Sequence, residues 1–292
     1  MEGCAFLVRY NEASRYPWAM SNLSPSDHAD LQAALKKLET ESFAMKVASK
    51  AGLPIEALLR KLPPAAQSAI QVTVDKALAR CLQVAVKAHP RNRPVVTHNR
   101  VHIAATAVTG AAGGFFGLPG LLVELPITTT VMLHSIVEIA RSHGEDLLDP
   151  ESELACLEVF ALGPRSDFNG VQESAYYATR TAMAQVTREA VSYLTRKGMA
   201  KESAPALISF VGKIASRFGL EVSEKVAAEL VPIAGAVGGF ALNIIFSQHF
   251  QSLAEGHFTI RRLERIYGKE TVRQEYDLAY ARTASSNPIP QV

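Results

Sequence analysis

Three observations predict an all-α fold, a multi-helix domain with two pseudo-repeated glycine-rich helical units packed together. Apolar residues recur every three or four positions through most of the chain, which is the spacing of amphipathic helices. Capping residues, glycines and prolines separate these segments. Two apolar, glycine-rich stretches also resemble each other in sequence. With 292 residues and 48% hydrophobic content, the chain is long and apolar enough to bury a substantial core.

The chain opens with an irregular segment, residues 1–23, and a helix is predicted directly after it. Ser24 supplies a capping oxygen and Pro25 suits the first helical turn, so the helix begins there. Apolar residues keep helical spacing over residues 24–51, and Gly52 ends the pattern. The first predicted element is therefore a long amphipathic helix.

Two more helices are predicted before the central part of the chain. A short one ends near Lys61, and a long amphipathic helix follows over residues 65–87. Cys81 lies on the apolar face of the long helix and is predicted to be a core residue. We interpret residues 24–89 as N-terminal helices that pack on a main domain, residues 90–283.

A basic loop, residues 89–100, comes immediately before the most apolar part of the chain. It carries Arg91, Arg93 and Arg100. One interpretation is a solvated linker between helical layers. The other is a basic flank beside a membrane-contacting segment, where arginines meet anionic headgroups. The sequence leaves both interpretations open.

A charge-free stretch, residues 103–123, is long enough to cross a bilayer. Its composition argues against a simple span, because Pro119 interrupts the helix and Glu124 follows at once. Small residues also stand where leucines that face lipid would be expected. The stretch therefore predicts a buried core helix or a shallow re-entrant hairpin.

The two glycine-rich stretches, residues 108–144 and 230–268, match at a constant offset at several glycines. In each copy two glycines stand four residues apart, so on a helix they share one face and allow a neighbouring backbone to approach closely. The glycines concerned are Gly110, Gly114, Gly235 and Gly239. A true repeat predicts that the two glycine faces pack about a pseudo-two-fold axis. The alternative is two unrelated core helices of similar composition.

The remaining sequence predicts further helices and a disordered C-terminal tail. Capping signals and apolar spacing give the helices as residues 128–142, 150–161, 171–196, 203–217 and 221–230, with another through residues 257–265. The tail, residues 284–292, is polar and rich in proline, and it is predicted to be disordered.

Charge and cysteine usage argue against several classes of protein. With 30 basic and 28 acidic residues, the formal charge of +2 does not favour nucleic acid as a partner, and none is predicted. Three scattered cysteines indicate neither a disulfide framework nor a metal site, and they fit a reducing cytoplasm. The N-terminus lacks the pattern of a secretory signal.

Motifs for the common chemistries are missing from the sequence, including those of P-loop and dinucleotide-binding proteins. His134 and Glu138 share a helix face, but this is half of a metal site at best, so no metal and no cofactor are predicted. A basic ridge is predicted where His257, Arg261 and Arg265 stand one turn apart. It is either a solvated, salt-bridged face or a contact for phosphate or anionic lipid.

Six motifs stand out along the chain. They are GxxGGxxGLPGLLVELP (residues 110–126), IVEIARSHGEDLLDPE (136–151), FALG (160–163), YYATR (176–180), VPIAGAVGGFALN (231–243) and GHFTIRRLERIYG (256–268). In order and spacing they resemble the bacterial EcsC family, over residues 90–270. The resemblance implies an accessory role, because the family is named for an accessory product associated with an ABC transporter. The family pattern often has a basic residue in place of His134, aspartate in place of Glu124 and glycine in place of Pro164.

Polar residues set among apolar ones form a candidate site. Glu124, Lys225 and Asn243 lie within or beside the most apolar parts of the chain, and buried charges persist only when they are paired. We predict that Glu124 and Lys225 approach each other, and that Asn243 completes a polar network with His134 or Arg180. The network either fixes the register of the two units or forms a ligand or catalytic site with Glu124 as general base.

These observations predict a cytoplasmic protein, either free or peripheral on the inner membrane, that acts as an accessory or interaction protein. Its expected partner is anionic membrane lipid or a membrane-protein complex. The alternative is an enzyme that acts on a lipid or another apolar substrate in a pocket between the glycine-rich helices.

Overall fold

The computed structural model describes residues 22–39, 62–87, 123–163, 174–197, 204–229 and 235–286. Within these ranges the chain forms helices and no strand, which confirms the predicted all-α class. The helices are α1 (Pro25–Leu38), α2 (Pro64–Lys87), α3 (Val123–Ser142), α4 (Pro150–Glu158), α5 (Ala175–Lys197), α6 (Pro205–Glu229), α7 (Gly235–Tyr267) and α8 (Lys269–Ser286). A 3-10 turn, Val159–Ala161, extends α4.

Local capping signals fix where α1 and α4 begin. Ser24 accepts a hydrogen bond from the backbone N–H of Asp27 at 3.2 Å, and Asp149 accepts one from that of Glu151 at 3.3 Å. A proline follows each cap in the first turn, where its missing N–H needs no helical partner. Both predicted starts are confirmed. Cys81 on α2 is also buried, as predicted.

α1 ends at Leu38 because Glu39 takes a tertiary role. The backbone N–H of Glu39 donates to Leu35 O and closes the helix. Its carboxylate accepts hydrogen bonds from the backbone N–H groups of Ala175 and Tyr176, both at 3.2 Å. Glu39 thus caps the start of α5 from a distant part of the sequence. The prediction of one helix that continues past Glu39 is therefore wrong.

α6 is one continuous helix where the sequence predicted two. Gly219 lies inside it, at the predicted break between residues 217 and 221. α2 packs against α6 at this point, and a Cβ at Gly219 would lie only 2.6 Å from Gln71 Oε1. Packing against a neighbouring helix thus carries α6 through a residue that interrupts isolated helices.

α7 is the helix on which much of the fold assembles. It is 33 residues long and contacts α1, α6, α8 and the 3-10 turn. α1 approaches it closely at Gly256, where a Cβ would lie 2.7 Å from Leu38 Cγ and 3.2 Å from Ala34 O. The predicted helix through residues 257–265 is the C-terminal part of this longer helix.

Phenylalanine side chains form part of the core beside α7. Phe160 in the 3-10 turn packs against Phe218 on α6, with ring centroids 4.9 Å apart. Phe250 on α7 lies 5.4 Å from both rings and 5.1 Å from Phe246 one turn away. Such tilted and edge-on aromatic contacts add to the stabilisation that burial provides. The FALG motif therefore supplies a core residue.

The helices at both ends of the described chain pack on this core. α1 contacts α7 and α8, and α2 contacts α4 and α6, so both described helices that precede residue 89 pack against later helices. The division into N-terminal helices and a main domain stays a prediction, and the predicted short helix that ends near Lys61 lies outside the described residues. α8 extends to Ser286, past the predicted start of the disordered tail at residue 284. The rest of the tail lies outside the described residues.

The ends of the two glycine-rich stretches share one feature. Gly144 follows α3 and Gly268 follows α7, with φ angles of 79° and 86°. A glycine with positive φ is a common helix terminator, so this likeness does not by itself establish a repeat. Gly110 and Gly114 lie outside the described residues, and the packing of two glycine faces stays a prediction.

Candidate functional site

A buried polar cluster joins α3, α6 and α7. Glu124 in the first turn of α3 accepts three hydrogen bonds at Oε1. Asn243 Nδ2 donates at 2.5 Å, Thr128 Oγ1 at 3.2 Å and Lys225 Nζ at 3.5 Å. We call these four residues the Glu124 cluster. The predicted contact of Glu124 with Lys225 and Asn243 is confirmed.

The Glu124 cluster is removed from water. The exposed fractions are 5% for Glu124, 2% for Lys225 and 0% for Asn243, and the Lys225 ammonium lies 5.7 Å from the centroid of the Phe246 ring. Burying two charges costs several kcal/mol per ion, which only close pairing and hydrogen bonds offset. Each member therefore depends on the others for its place in the core.

The two oxygens of Glu124 differ in their contacts. All three donors approach Oε1, whereas Oε2 is buried and accepts no hydrogen bond among the described residues. Both oxygens of an ionised carboxylate accept hydrogen bonds. The cluster therefore has an open acceptor position in an apolar setting.

Neither His134 nor Arg180 joins the Glu124 cluster, so the prediction that one of them completes it is wrong. His134 follows Glu124 by almost three helical turns, about 15 Å along α3. Its side chain is exposed, and its Nδ1 donates to Thr130 O at 2.8 Å. Arg180 pairs with Glu264 instead. Among the described residues, no three His, Cys, Asp or Glu side chains are grouped to hold a metal ion.

A second buried network joins α5 to α7. Arg180 forms two hydrogen bonds with Glu264, at 2.5 and 3.0 Å, and its Nη1 also donates to Tyr176 Oη at 3.3 Å. Tyr176 Oη lies 3.0 Å from His257 Nδ1. Because Arg180 can only donate, the tyrosine proton goes to Nδ1, and the imidazole carries its own proton on Nε2. We call these residues the Tyr176 network.

His257 is fully buried, so the prediction that it lies on a basic ridge is wrong. Burial, reinforced by the charges of Arg180 and Arg261, holds the pKa of the His257 imidazole well below its usual value. The histidine is therefore neutral at pH 7. The spacing along α7 was correct, but α5 covers the face on which His257 lies.

Arg261 and Arg265 bind a carboxylate of the same chain. Arg261 Nε and Nη2 donate to Glu145 at 3.0 and 2.9 Å, Ser152 Oγ donates at 2.6 Å, and Arg265 Nη1 also contacts Glu145. We call this group the Glu145 clamp. It ties the segment between α3 and α4 to the C-terminal part of α7. The interpretation of these arginines as a salt-bridged face is the one that agrees with the structure.

The environment of Glu145 keeps it ionised. Burial alone would raise the pKa of its carboxyl, but the hydrogen bonds and charge of Arg261, helped by Ser152 and Arg265, hold that pKa below its usual value. The other three arginines assigned to an anionic contact, Arg91, Arg93 and Arg100, lie outside the described residues.

Sequence reasoning missed Glu145 and Glu264, the carboxylates that hold the arginines. The available signal was the spacing of Arg261 and Arg265, which stand four residues apart beside apolar residues of a helix. Charges in such a position need acidic partners. The sequence does not say which of the many carboxylates supplies them, because the partners lie more than 80 residues away.

Several motifs of the sequence meet on α7. The LVELP and VPIAGAVGGFALN segments touch through Glu124 and Asn243. YYATR reaches GHFTIRRLERIYG through Arg180 and Glu264, and the HGED segment reaches the same motif through Glu145. These motifs, which are separate in the sequence, are therefore joined by contacts between their polar side chains.

The family comparison agrees with the motifs and extends towards the N-terminus. The model of the EcsC protein family matches residues 27–263 of the chain. The chain belongs to the EcsC family. The match begins within α1, so the EcsC region includes N-terminal helices that the motif resemblance, starting at residue 90, left out. No curated protein and no solved structure matches the chain.

Among the described helices of this EcsC protein, α3 is long and apolar enough to cross a membrane. However, 56% of the most apolar part of this helix is buried inside the fold, and core helices of soluble proteins can be equally long and apolar. Its buried side contacts α7 through Glu124 and through Ser135, which accepts a hydrogen bond from Gln251 at 2.8 Å. α3 thus has the polar contacts of a helix packed within the fold.

Proposed function

We propose that this EcsC protein is a peripheral-membrane accessory protein at the cytoplasmic face of the inner membrane. The observation that carries the proposal is apolar exposure at the start of α3. Val123 is 71% exposed and Ile127, one turn later, is 50% exposed. Val123 is the last residue of the charge-free stretch, residues 103–123, and Ile127 follows four residues later. We call Val123 and Ile127 the α3 N-terminal surface.

The proposal keeps α3 in the fold and brings only its N-terminal surface to the membrane. A helix that leaves the core to cross a bilayer would carry Glu124 into hydrocarbon without Lys225 and Asn243, at a cost of several kcal/mol. Contact through two exposed apolar side chains leaves the Glu124 cluster intact. An interfacial position is therefore favoured over a span.

The electrostatic part of the proposed contact is the basic loop with Arg91, Arg93 and Arg100. Basic residues near an anionic membrane surface contribute about 1 kcal/mol each, and salt screens this attraction. Arg261 and Arg265 are not part of the proposed contact, because they already pair with Glu145, and Arg261 also with Glu151. The proposed contact therefore involves one part of the sequence, residues 89–127.

Flotation with liposomes tests this proposal. We expect wild-type protein to float with anionic vesicles at low salt and less at high salt, and to bind neutral vesicles weakly. Ile127→Glu should weaken binding about tenfold, since it replaces about 1.5 kcal/mol of apolar burial with a charge. Leu278→Glu on α8 is the matched control, because Leu278 is 54% exposed and lies outside the proposed contact.

Two outcomes of the flotation experiment would contradict the proposed membrane contact. One is a wild-type protein that floats with neither kind of vesicle. The other is equal binding by wild-type and Ile127→Glu proteins, because the α3 N-terminal surface would then play no part. Arg91→Glu with Arg93→Glu should remove the salt dependence and leave the fold unchanged.

An enzyme acting on a lipid or another apolar substrate is the second candidate, and the Glu124 cluster favours it. A buried carboxylate with an open oxygen is a common arrangement for a general base. Incubation with extracted membrane lipids, followed by mass spectrometry, tests this candidate. Turnover by wild-type protein that Glu124→Gln abolishes would support it, and products that are unchanged by the substitution would exclude Glu124 as the base.

A further inference from the structure

The Glu124 cluster contains an acceptor that the described residues leave open. Glu124 Oε1 receives donors from Thr128, Lys225 and Asn243, and Oε2 receives none although it is buried. Leaving a buried charged oxygen without a donor is unfavourable, so native structures place a partner at such a position. A ligand that contacts Oε2 must therefore donate a hydrogen bond.

The charges around Glu124 restrict what the donor can be. Lys225 already places an ammonium 3.5 Å from Oε1, so a second cation would be repelled by it. An anionic group would be repelled by Glu124 itself. A neutral hydroxyl satisfies Oε2 without changing the charge of the cluster, and it is small enough for a confined position.

The position of Glu124 indicates how such a ligand reaches it. Glu124 directly follows Val123, whose side chain is 71% exposed, and precedes Ile127, which is 50% exposed. The buried carboxylate thus lies within one helical turn of an exposed apolar surface. A ligand with an apolar chain and a hydroxyl group matches both features, since the chain would cover the surface while the hydroxyl enters the core.

We infer that Glu124 Oε2 accepts a hydrogen bond from the hydroxyl of a neutral amphiphile, such as a glycerolipid with a free hydroxyl. The inference rests on the proposed membrane contact for the placement of the apolar chain. The hydroxyl chemistry alone is shared with small polyols such as glycerol. The experiment therefore separates these two sources.

Native mass spectrometry with 1-monooleoylglycerol, methyl oleate, oleylamine and glycerol tests the inference. We expect wild-type protein to retain 1-monooleoylglycerol at least about tenfold more tightly than methyl oleate, which lacks the hydroxyl donor. Oleylamine, which is cationic, should bind no better than methyl oleate. Weak or no retention of glycerol identifies the lipid as the source, whereas equal retention of glycerol identifies a small polyol and removes the amphiphile from the inference.

Variants connect the binding to Glu124. Glu124→Gln replaces an acceptor oxygen with a donor and should lose about tenfold or more in affinity for 1-monooleoylglycerol. Glu255→Gln is the matched control, because Glu255 pairs with Lys37 in a partly exposed ion pair elsewhere on α7. If Glu124→Gln fails to fold, Glu124→Asp keeps the charge and withdraws the oxygens, and it should also weaken binding.

Equal binding of 1-monooleoylglycerol and methyl oleate would overturn the inference, as would tighter binding of oleylamine. Unchanged affinity in both folded Glu124 variants would also overturn it. Flotation keeps the proposed function separate. If the protein floats with anionic vesicles but does not bind 1-monooleoylglycerol, only the inferred ligand is wrong. If the protein does not float but binds a hydroxyl through Glu124, only the proposed membrane contact is wrong.

Discussion

Glu124 and Glu145 are both buried carboxylates that contact α7, but their surroundings differ. Both oxygens of Glu145 hold donors, which come from Arg261, Arg265 and Ser152. Among the described residues, donors reach only the Oε1 atom of Glu124. A buried carboxylate whose two oxygens both accept hydrogen bonds from the same chain has a structural role. A buried oxygen without a donor is unusual in a native structure, and the hydroxyl ligand that we infer would supply the donor for Glu124.

The partners of the two carboxylates also differ in kind. Glu145 is held by guanidinium groups, which stay charged and bind carboxylates through two parallel hydrogen bonds. Glu124 is held by an amide, a hydroxyl and a more distant ammonium. The two sites lie about 27 Å apart along one helix, since Asn243 and Arg261 are separated by five turns of α7. Guanidinium–carboxylate pairs therefore hold the C-terminal part of α7, whereas an amide–carboxylate hydrogen bond joins Asn243, nearer its N-terminus, to α3.

The largest expected effect is that of Glu145→Gln. The substitution removes the carboxylate that both Arg261 and Arg265 contact and leaves the mostly buried Arg261 with only the more distant Glu151 at 3.6 Å. Arg261 cannot become neutral. Breaking a buried ion pair costs about 3 to 5 kcal/mol in the free energy of unfolding. Urea unfolding followed by circular dichroism measures it. A loss below about 1 kcal/mol would show that the Glu145 clamp is dispensable.

Glu124→Gln should cost less, about 2 kcal/mol, although Glu124 is equally buried. Glutamine keeps an acceptor oxygen for the three donors, and the Lys225 ammonium lies 3.5 Å from Glu124, whereas Arg261 binds Glu145 through two hydrogen bonds at 3.0 and 2.9 Å. The same urea titration gives the comparison. If Glu124→Gln lowers the free energy of unfolding as much as Glu145→Gln does, or more, Glu124 has the same structural role as Glu145 and the two sites do not differ.

As pH falls, the Tyr176 network should lose stability before the Glu145 clamp does. The pKa of His257 is below its usual value of 6.5 in the fold, so stability is present above pH 6.5 and is lost as pH falls below it. The slope is at most about 1.4 kcal/mol per pH unit. Unfolding free energies from pH 7.5 to 5 measure it, and His257→Gln should flatten the curve. Equal slopes in both proteins would contradict this assignment.

Below about pH 4.5 a second group adds to the loss. The pKa of Glu145 is lowered from its usual value of 4.5, so its contribution is present above that value and falls away as the carboxyl is protonated. In Glu145→Gln this lower part of the curve should be missing, while the loss due to His257 remains. Retention of the lower part would assign it to another carboxyl.

The smallest expected effect is that of the double variant Glu124→Gln, Lys225→Met. Removing both charges leaves no uncompensated ion in the core, and replacing a buried ion pair by uncharged side chains of similar size is often close to neutral. The double variant should therefore be closer to wild type than Glu124→Gln alone. If the two single losses simply add, Glu124 and Lys225 are not coupled, and the Glu124 cluster is not a unit.

The candidate site was predictable to the extent that its residues were out of place in an apolar sequence. Glu124, Lys225 and Asn243 are polar groups in apolar segments, and buried polar groups need one another, so their meeting followed from burial alone. His134 and Arg180 were wrongly added because helical spacing gives a face but not the neighbour that covers it. The two buried networks on the C-terminal part of α7 were missed for the same reason.

The sequence alone determined the all-α class, the starts of α1 and α4, the core position of Cys81 and the family. Each of these depends on local hydrogen bonds, on periodic burial or on motif order, which neighbouring residues specify. The tertiary structure decided that α1 ends at Leu38, that α6 continues through Gly219 and that His257 is buried. Those outcomes depend on residues more than 80 positions away, and a local pattern holds no information about which distant surface will cover it.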